Sequence, residues 1–96
     1  MPARIPRRFQ LMGHTITVRR VPKSRWKHKD CVGFFDPSQM VIAVCTGPSV
    51  SSQEQIFWHE ATHAMLYCLG MPEYDNEQLV DQLGGLIHQI VTTAVH

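Results

Sequence analysis

Two histidines four residues apart, with a glutamate beside the first, carry the chemistry of this chain: His59-Glu60-Ala61-Thr62-His63. The surrounding stretch, Gln55 to Leu69, is helix-forming, and on a helix residues four apart share a face, about 6 Å from one another. Both imidazoles can therefore reach one metal ion, and Glu60 can reach a water bound to that ion. The competing reading is a helix with two surface histidines and a glutamate that have no joint role. Ile56, Phe57, Ala64 and Leu66 argue against it. They make the segment apolar enough to be buried, and a half-buried helix seldom carries three ionisable groups on one face without a partner for them.

A catalytic zinc takes three protein ligands and keeps one position for water. Beyond His59 and His63 the candidates are Glu77, Asp81 and His88, which fall at i, i+4 and i+11 on one stripe of a second helix-forming segment. His88 lies about 16 Å along the axis from Glu77 and cannot share an ion with it. It reads instead as a histidine at the edge of the core. Glu77 and Asp81 are one turn apart, so one can ligate while the other supports His59 or His63. Glu77 is favoured because its longer side chain spans the gap between packed helices more easily. Tyr74, just before that helix, is the best-placed additional hydrogen-bond donor; the competing reading is a loop tyrosine that only covers the core. Gly84 and Gly85 each cost about 1 kcal/mol relative to Ala inside a helix, so the pair suggests close approach of the two helices.

The positioning elements follow from patterning. Phe9-Gln10-Leu11 and Thr15 to Val18 read as strands around a Gly13-His14 turn, and Cys31 to Phe35 and Met40 to Val44 as strands around Asp36-Pro37-Ser38-Gln39. The expectation is an α+β fold: an antiparallel sheet of two hairpins, then an active-site helix and a second, C-terminal helix. Ser51 with Glu54 and Asp75 with Gln78 fit capping boxes opening the helices, and Gly70 with Pro72 supplies a stop. The second helix is expected to run to about Val95, with Leu79, Val80, Leu83, Leu86, Ile87, Ile90 and Val91 at core spacing. The short link from Gly70 to Asp75 makes the helices neighbours.

His59-Glu60-x-x-His63 followed by Glu77-x-x-Val80-Asp81-x-Leu83-Gly84 resembles the gluzincin-type pattern of small zincin metallopeptidases of the ImmA/IrrE kind and of short phage-borne relatives. Gly33-Phe34-Phe35-Asp36-Pro37 and Met40 to Val44 look like the strand pair that precedes the active-site helix in that family. The resemblance covers about Val32 to Ile90. It differs in Gly84, where Ala is usual, and in a short spacer before Glu77. It implies a zincin-like domain that hydrolyses peptide bonds, with His59, His63 and Glu77 as Zn2+ ligands and Glu60 as general base. It further implies a peptide or protein substrate held extended along an edge strand, which would be Met40 to Cys45.

Ninety-six residues, 44 % apolar and 18 % charged, suit a single globular domain spanning 1–96. No segment reaches the roughly 18 uninterrupted apolar residues of a membrane span, so no membrane partner is expected. Cys31, Cys45 and Cys68 are odd in number and lack C-x-x-C spacing, which points to a reducing, cytoplasmic setting and not to a disulfide framework. The net charge of +1 conceals a segregation: all nine Lys and Arg lie before Asp30 and all eight acids from Asp30 onward. The basic N-terminal part, 1–29, is either a solvated face or, through residues 4–29, a surface for nucleic acid. Trp26, between cations, is placed to stack on a base or to cover the core edge.

Overall fold

The computed structural model describes residues 4–96; residues 1–3, counted above with the basic part, lie outside them. β1 (Arg8–Leu11) and β2 (His14–Val21) form the first hairpin, with Phe9 opposite Ile16. Its turn is Met12-Gly13, with φ of 49° and 85°, the left-handed pair that a two-residue hairpin connection needs. His14, expected in the turn, pairs with Leu11 as the first residue of β2. β3 (Gly33–Asp36) and β4 (Val41–Cys45) form the second hairpin. Its turn is held by the Asp36 carboxylate, which accepts hydrogen bonds from the Ser38 amide and hydroxyl at 2.9 and 2.7 Å.

The α+β class, strands before helices, is as expected, but the sheet is mixed and not wholly antiparallel. Its order is β1-β2-β4-β3, and β2 pairs with β4 in parallel, Val18 beside Ile42. The chain leaves β2 through a 3-10 turn at Lys23–Arg25 and reaches the far side of the sheet before β3 begins. β4 then returns between β3 and β2. β4 has a continuous buried run, Ile42 to Cys45, because both of its faces are covered, where a strand with one open face would alternate.

One face of the sheet supplies Ile16, Val18, Ile42 and Val44 to the core, and α1 (Val50–Cys68) supplies Phe57, Ala61 and Ala64. The N-cap of α1 is Ser49, whose hydroxyl accepts from the Ser52 amide, two residues before the expected Ser51. The stop is as read: Gly70 adopts φ 72°, and the Met71 amide bonds back to the Leu66 carbonyl at 3.0 Å, closing the helix end. A 3-10 turn at Pro72–Asp75 leads into α2 (Glu77–Thr93). Its cap is Asn76, not Asp75, with the Asn76 side chain accepting from the Leu79 amide at 3.1 Å.

α2 lies on α1 as an outer layer, so only one narrow strip of it is covered. Val80 and Gly84 are buried, whereas Leu86 is 58 % and Ile90 65 % exposed. The apolar stripe from Leu79 to Val91 is therefore core at Val80 and largely surface beyond Gly84, and the helix ends at Thr93. All three cysteines are free, Cys31 exposed and Cys45 buried. Among the described residues, no helix is long and apolar enough to cross a membrane.

Candidate metal centre

α1 carries His59, Glu60 and His63 on the side that meets the start of α2, and their ligand atoms lie within 4.8 Å of one another. Glu77, the first residue of α2, closes over them. Its Oε2 is 3.0 Å from His59 Nε2 and its Oε1 is 3.0 Å from His63 Nε2. Asp81 Oδ1, one turn along, is 3.5 Å from His59 Nδ1. His88 takes no part in the cluster. The structure thus brings together His59, Glu60, His63 and Glu77, with Asp81 at their edge.

The backbone sets this geometry at two glycines. A Cβ on Gly84 would lie 3.1 Å from His59 Cα, 3.1 Å from the Trp58 carbonyl and 3.2 Å from Thr62 Oγ1. Gly84 is thus the point where α2 presses on α1, directly against the histidine-bearing turn. Gly85 has open space around it, so of the pair expected at a close approach only Gly84 is at one. Gly33 does the same for the sheet: a Cβ there would collide with Ile56 Cγ2 and the Ala43 carbonyl, and would come within 3.5 Å of Glu60 Cγ. β3 therefore runs close beside the α1 face that bears Glu60.

The electrostatics of the cluster call for a positive charge. His63 Nδ1 donates to the Tyr74 carbonyl at 2.5 Å, which leaves the lone pair of Nε2 facing Glu77 Oε1. Two acceptors 3.0 Å apart require a cation, a proton or a metal ion, between or beside them. Glu60 is 8 % exposed, and burial, reinforced by the nearby Glu77 charge, pushes its carboxyl up to about 8. No Lys or Arg lines the cleft, which has a volume of about 940 Å³ and also contains Asp30, Asp75 and Asp81. The donor set of imidazole nitrogens and carboxylate oxygens suits a divalent ion of the zinc type. Tetrahedral zinc ligands lie roughly 3.3 Å apart, close to the 3.0 Å separations found here.

No protein-family model matches the chain, and comparison with curated proteins and with solved structures finds no match. A metal site of His59, Glu60 and His63 on α1 is accordingly read from the geometry of this chain alone.

The cleft wall opposite α1 is β3, with Val32, Gly33, Phe34 and Phe35 lining it. That corrects the expectation for Met40 to Cys45: β4 is hydrogen-bonded on both sides, by β2 and β3, and offers no free edge. β3 is the edge strand at the cleft. Tyr74 is half-buried and packs its ring on Tyr67, with centroids 5.2 Å apart. What touches the site is its main-chain carbonyl, the orienting partner of His63, which no side-chain pattern could have indicated.

Proposed function

We propose that the chain is a zinc-dependent metallopeptidase, the activity implied by its resemblance to small zincins. His59 Nε2, His63 Nε2 and the Glu77 carboxylate would hold the ion, and Glu60 would be the general base. A zinc ion so bound lowers the pKa of its water towards neutrality and polarises the scissile carbonyl. The observation that carries the reading is the convergence of both Nε2 atoms on one carboxylate, with a second, buried carboxyl group, that of Glu60, next to them in an open cleft.

The protein's own residues have separable tasks. The Tyr74 carbonyl fixes the His63 tautomer by accepting a hydrogen bond from Nδ1–H, so that the Nε2 lone pair is free to ligate. Asp81 stands in the same relation to His59 at longer range. Glu60 accepts the proton of the attacking water on a carboxylate oxygen and delivers it to the departing amine nitrogen. Its burial raises its basicity for that step, while a cation in the cleft keeps it ionised at neutral pH. β3 offers its free main-chain edge to an extended peptide, which binds by strand addition with little demand on sequence.

The test is Glu60→Gln. The amide keeps the shape of the carboxylate but cannot take the proton, so zinc content should match wild type while hydrolysis of an unfolded protein substrate, followed by mass spectrometry, is lost. Equal cleavage by both proteins would refute the assignment of Glu60. Wild-type protein that binds no zinc would refute the site.

A further inference from the structure

The nine Lys and Arg are not spent on balancing the acidic half. Among the described residues, the only ion-pair contacts within 4.0 Å are those of His59 and His63 with Glu77 and Asp81. Arg20 is held to α1 through Gln53, its Nη2 donating to Oε1 at 3.1 Å. Arg19, the preceding residue of β2, points to the other face of the sheet, as strand alternation requires. So do Arg8, Thr15 and Thr17, all exposed. The open face, away from α1, therefore carries two of the three strand cations, Arg8 and Arg19.

That face is built up at one place. Ala43 and Cys45 have their side chains on it yet are buried, because the segment after β2 folds across them. Trp26 anchors the segment: its indole N–H donates to the Cys31 carbonyl at 2.8 Å, and its ring lies 5.9 Å from that of Phe34. His28 then packs edge-on against Phe34, with centroids 4.8 Å apart, and remains exposed. Between this aromatic group and β2 runs a groove of about 250 Å³ lined by Arg19, Arg25, Lys27 and His28. One acid, Asp36, also lines it, its carboxylate accepting from the Ser38 amide and hydroxyl, so the groove sets three cations against one anion.

We propose that this groove binds single-stranded nucleic acid, with phosphates against Arg19, Arg25 and Lys27 and a base stacked on the His28–Phe34 pair. Unpaired cations beside an exposed ring, here His28 backed by the half-buried Phe34, are the recognition chemistry of single strands. A duplex fits poorly, because α1 and α2 contain no Lys or Arg and so provide no basic helix to enter a groove. The proposal does not depend on the metal site, whose ligands lie on the α1 side of the sheet; among the described residues Phe34, on the edge strand β3, is the one that lines both the cleft and the groove.

The experiment is fluorescence anisotropy of the whole chain with a labelled oligothymidine about twelve nucleotides long, at salt from about 50 to 200 mM. Three phosphate contacts give a slope of log K against log salt of about −2. Arg19→Ala and Lys27→Ala should each make that slope shallower by about 0.7. His28→Ala, at an exposed position that leaves the fold intact, should weaken binding about tenfold or more with the slope unchanged. Chelation of metal should leave all of these values as they are, which separates failure here from failure of the peptidase reading. Equal affinity for the duplex, equal competition by a polyglutamate peptide, or no salt-dependent binding at all would overturn the proposal. Circular dichroism of each variant confirms that the fold persists.

Discussion

Gly84→Ala and Gly85→Ala should move stability in opposite directions, and the difference between them measures how tightly α2 is pressed on the histidine-bearing turn. Both substitutions gain the same helix propensity, about 1 kcal/mol, so the propensity term cancels in the comparison. At Gly84 the new methyl meets His59 Cα and the Trp58 carbonyl at 3.1 Å, where carbon contacts are comfortable at about 3.5–4.0 Å. Both atoms are backbone and cannot rotate away, so α2 itself must move outward by a few tenths of an ångström. Overpacking of this kind costs about 1–3 kcal/mol, and in a domain of this size 1 kcal/mol corresponds to about 4–8 °C in Tm. Gly85 meets nothing within 4 Å, so its variant keeps the whole gain. Thermal unfolding of the three metal-free proteins, with zinc titrations alongside, makes the measurement. Gly84→Ala should also weaken zinc binding, because the displaced helix carries Glu77, whereas Gly85→Ala should not. Equal stabilisation by both substitutions would show that α2 does not rest on His59 as described.

Glu77→Ala should weaken zinc binding far more than Asp81→Ala, because Glu77 meets both Nε2 atoms at 3.0 Å while Asp81 reaches only His59 Nδ1 at 3.5 Å; isothermal titration decides, and the reverse order would transfer the ligand role to Asp81. In the metal-free protein Glu60 should make stability fall as pH rises from about 5 to 8. The folded state keeps this proton up to about 8 while the unfolded chain releases it near 4.5, a difference on the order of 3–5 kcal/mol. Urea unfolding in chelator should show a flatter profile for Glu60→Gln over the same window, and an unchanged slope would refute the burial argument. Added zinc should raise the Tm of the wild type, by about 2.7 kcal/mol of stability at one hundred times Kd; His63→Ala should show no such rise.

Local geometry explains what the sequence disclosed. The i, i+4 relation of His59 and His63 depends only on the helix they share, and the helix is announced by its own residues. Capping was read to within one or two positions because Ser49, Ser51, Asp75 and Asn76 are all capping residue types, and only the path of the chain selects among them. The β2–β4 pairing was not legible: it joins segments more than twenty residues apart, and both antiparallel and parallel neighbours satisfy the same apolar alternation. That one misjudgement moved the exposed edge from β3 to β4 and with it the expected cleft wall. The stripe on α2 was overread for a related reason. Helical spacing shows which residues share a face, but the area covered depends on what lies opposite, and beyond Gly84 little does. Of the adjacent glycines only one can face α1, since successive residues point about 100° apart around a helix.

The segregation of charge along the chain becomes, in the fold, a segregation between two faces. The cleft gathers Glu60, Glu77, Asp30, Asp75 and Asp81 with two imidazoles and not one Lys or Arg, while Arg19, Arg25 and Lys27 line the groove on the far side of the sheet and Arg20 is tied to Gln53. A cleft so composed cannot neutralise itself by side-chain pairing. Its alternatives are to hold protons, as Glu60 does in the absence of an ion, or to hold a metal. Those alternatives compete for the same lone pairs, so acid should displace the ion and the ion should displace the proton. The buried Glu60 carboxyl then bears on metal binding as well as on the general-base role proposed for it. Its desolvation costs least when a divalent charge sits beside it, so part of the affinity of the cleft for metal comes from a residue that need not ligate. Glu60→Gln should therefore bind zinc somewhat less tightly than wild type at neutral pH while keeping full occupancy at saturating metal, and a gain in affinity would refute this coupling.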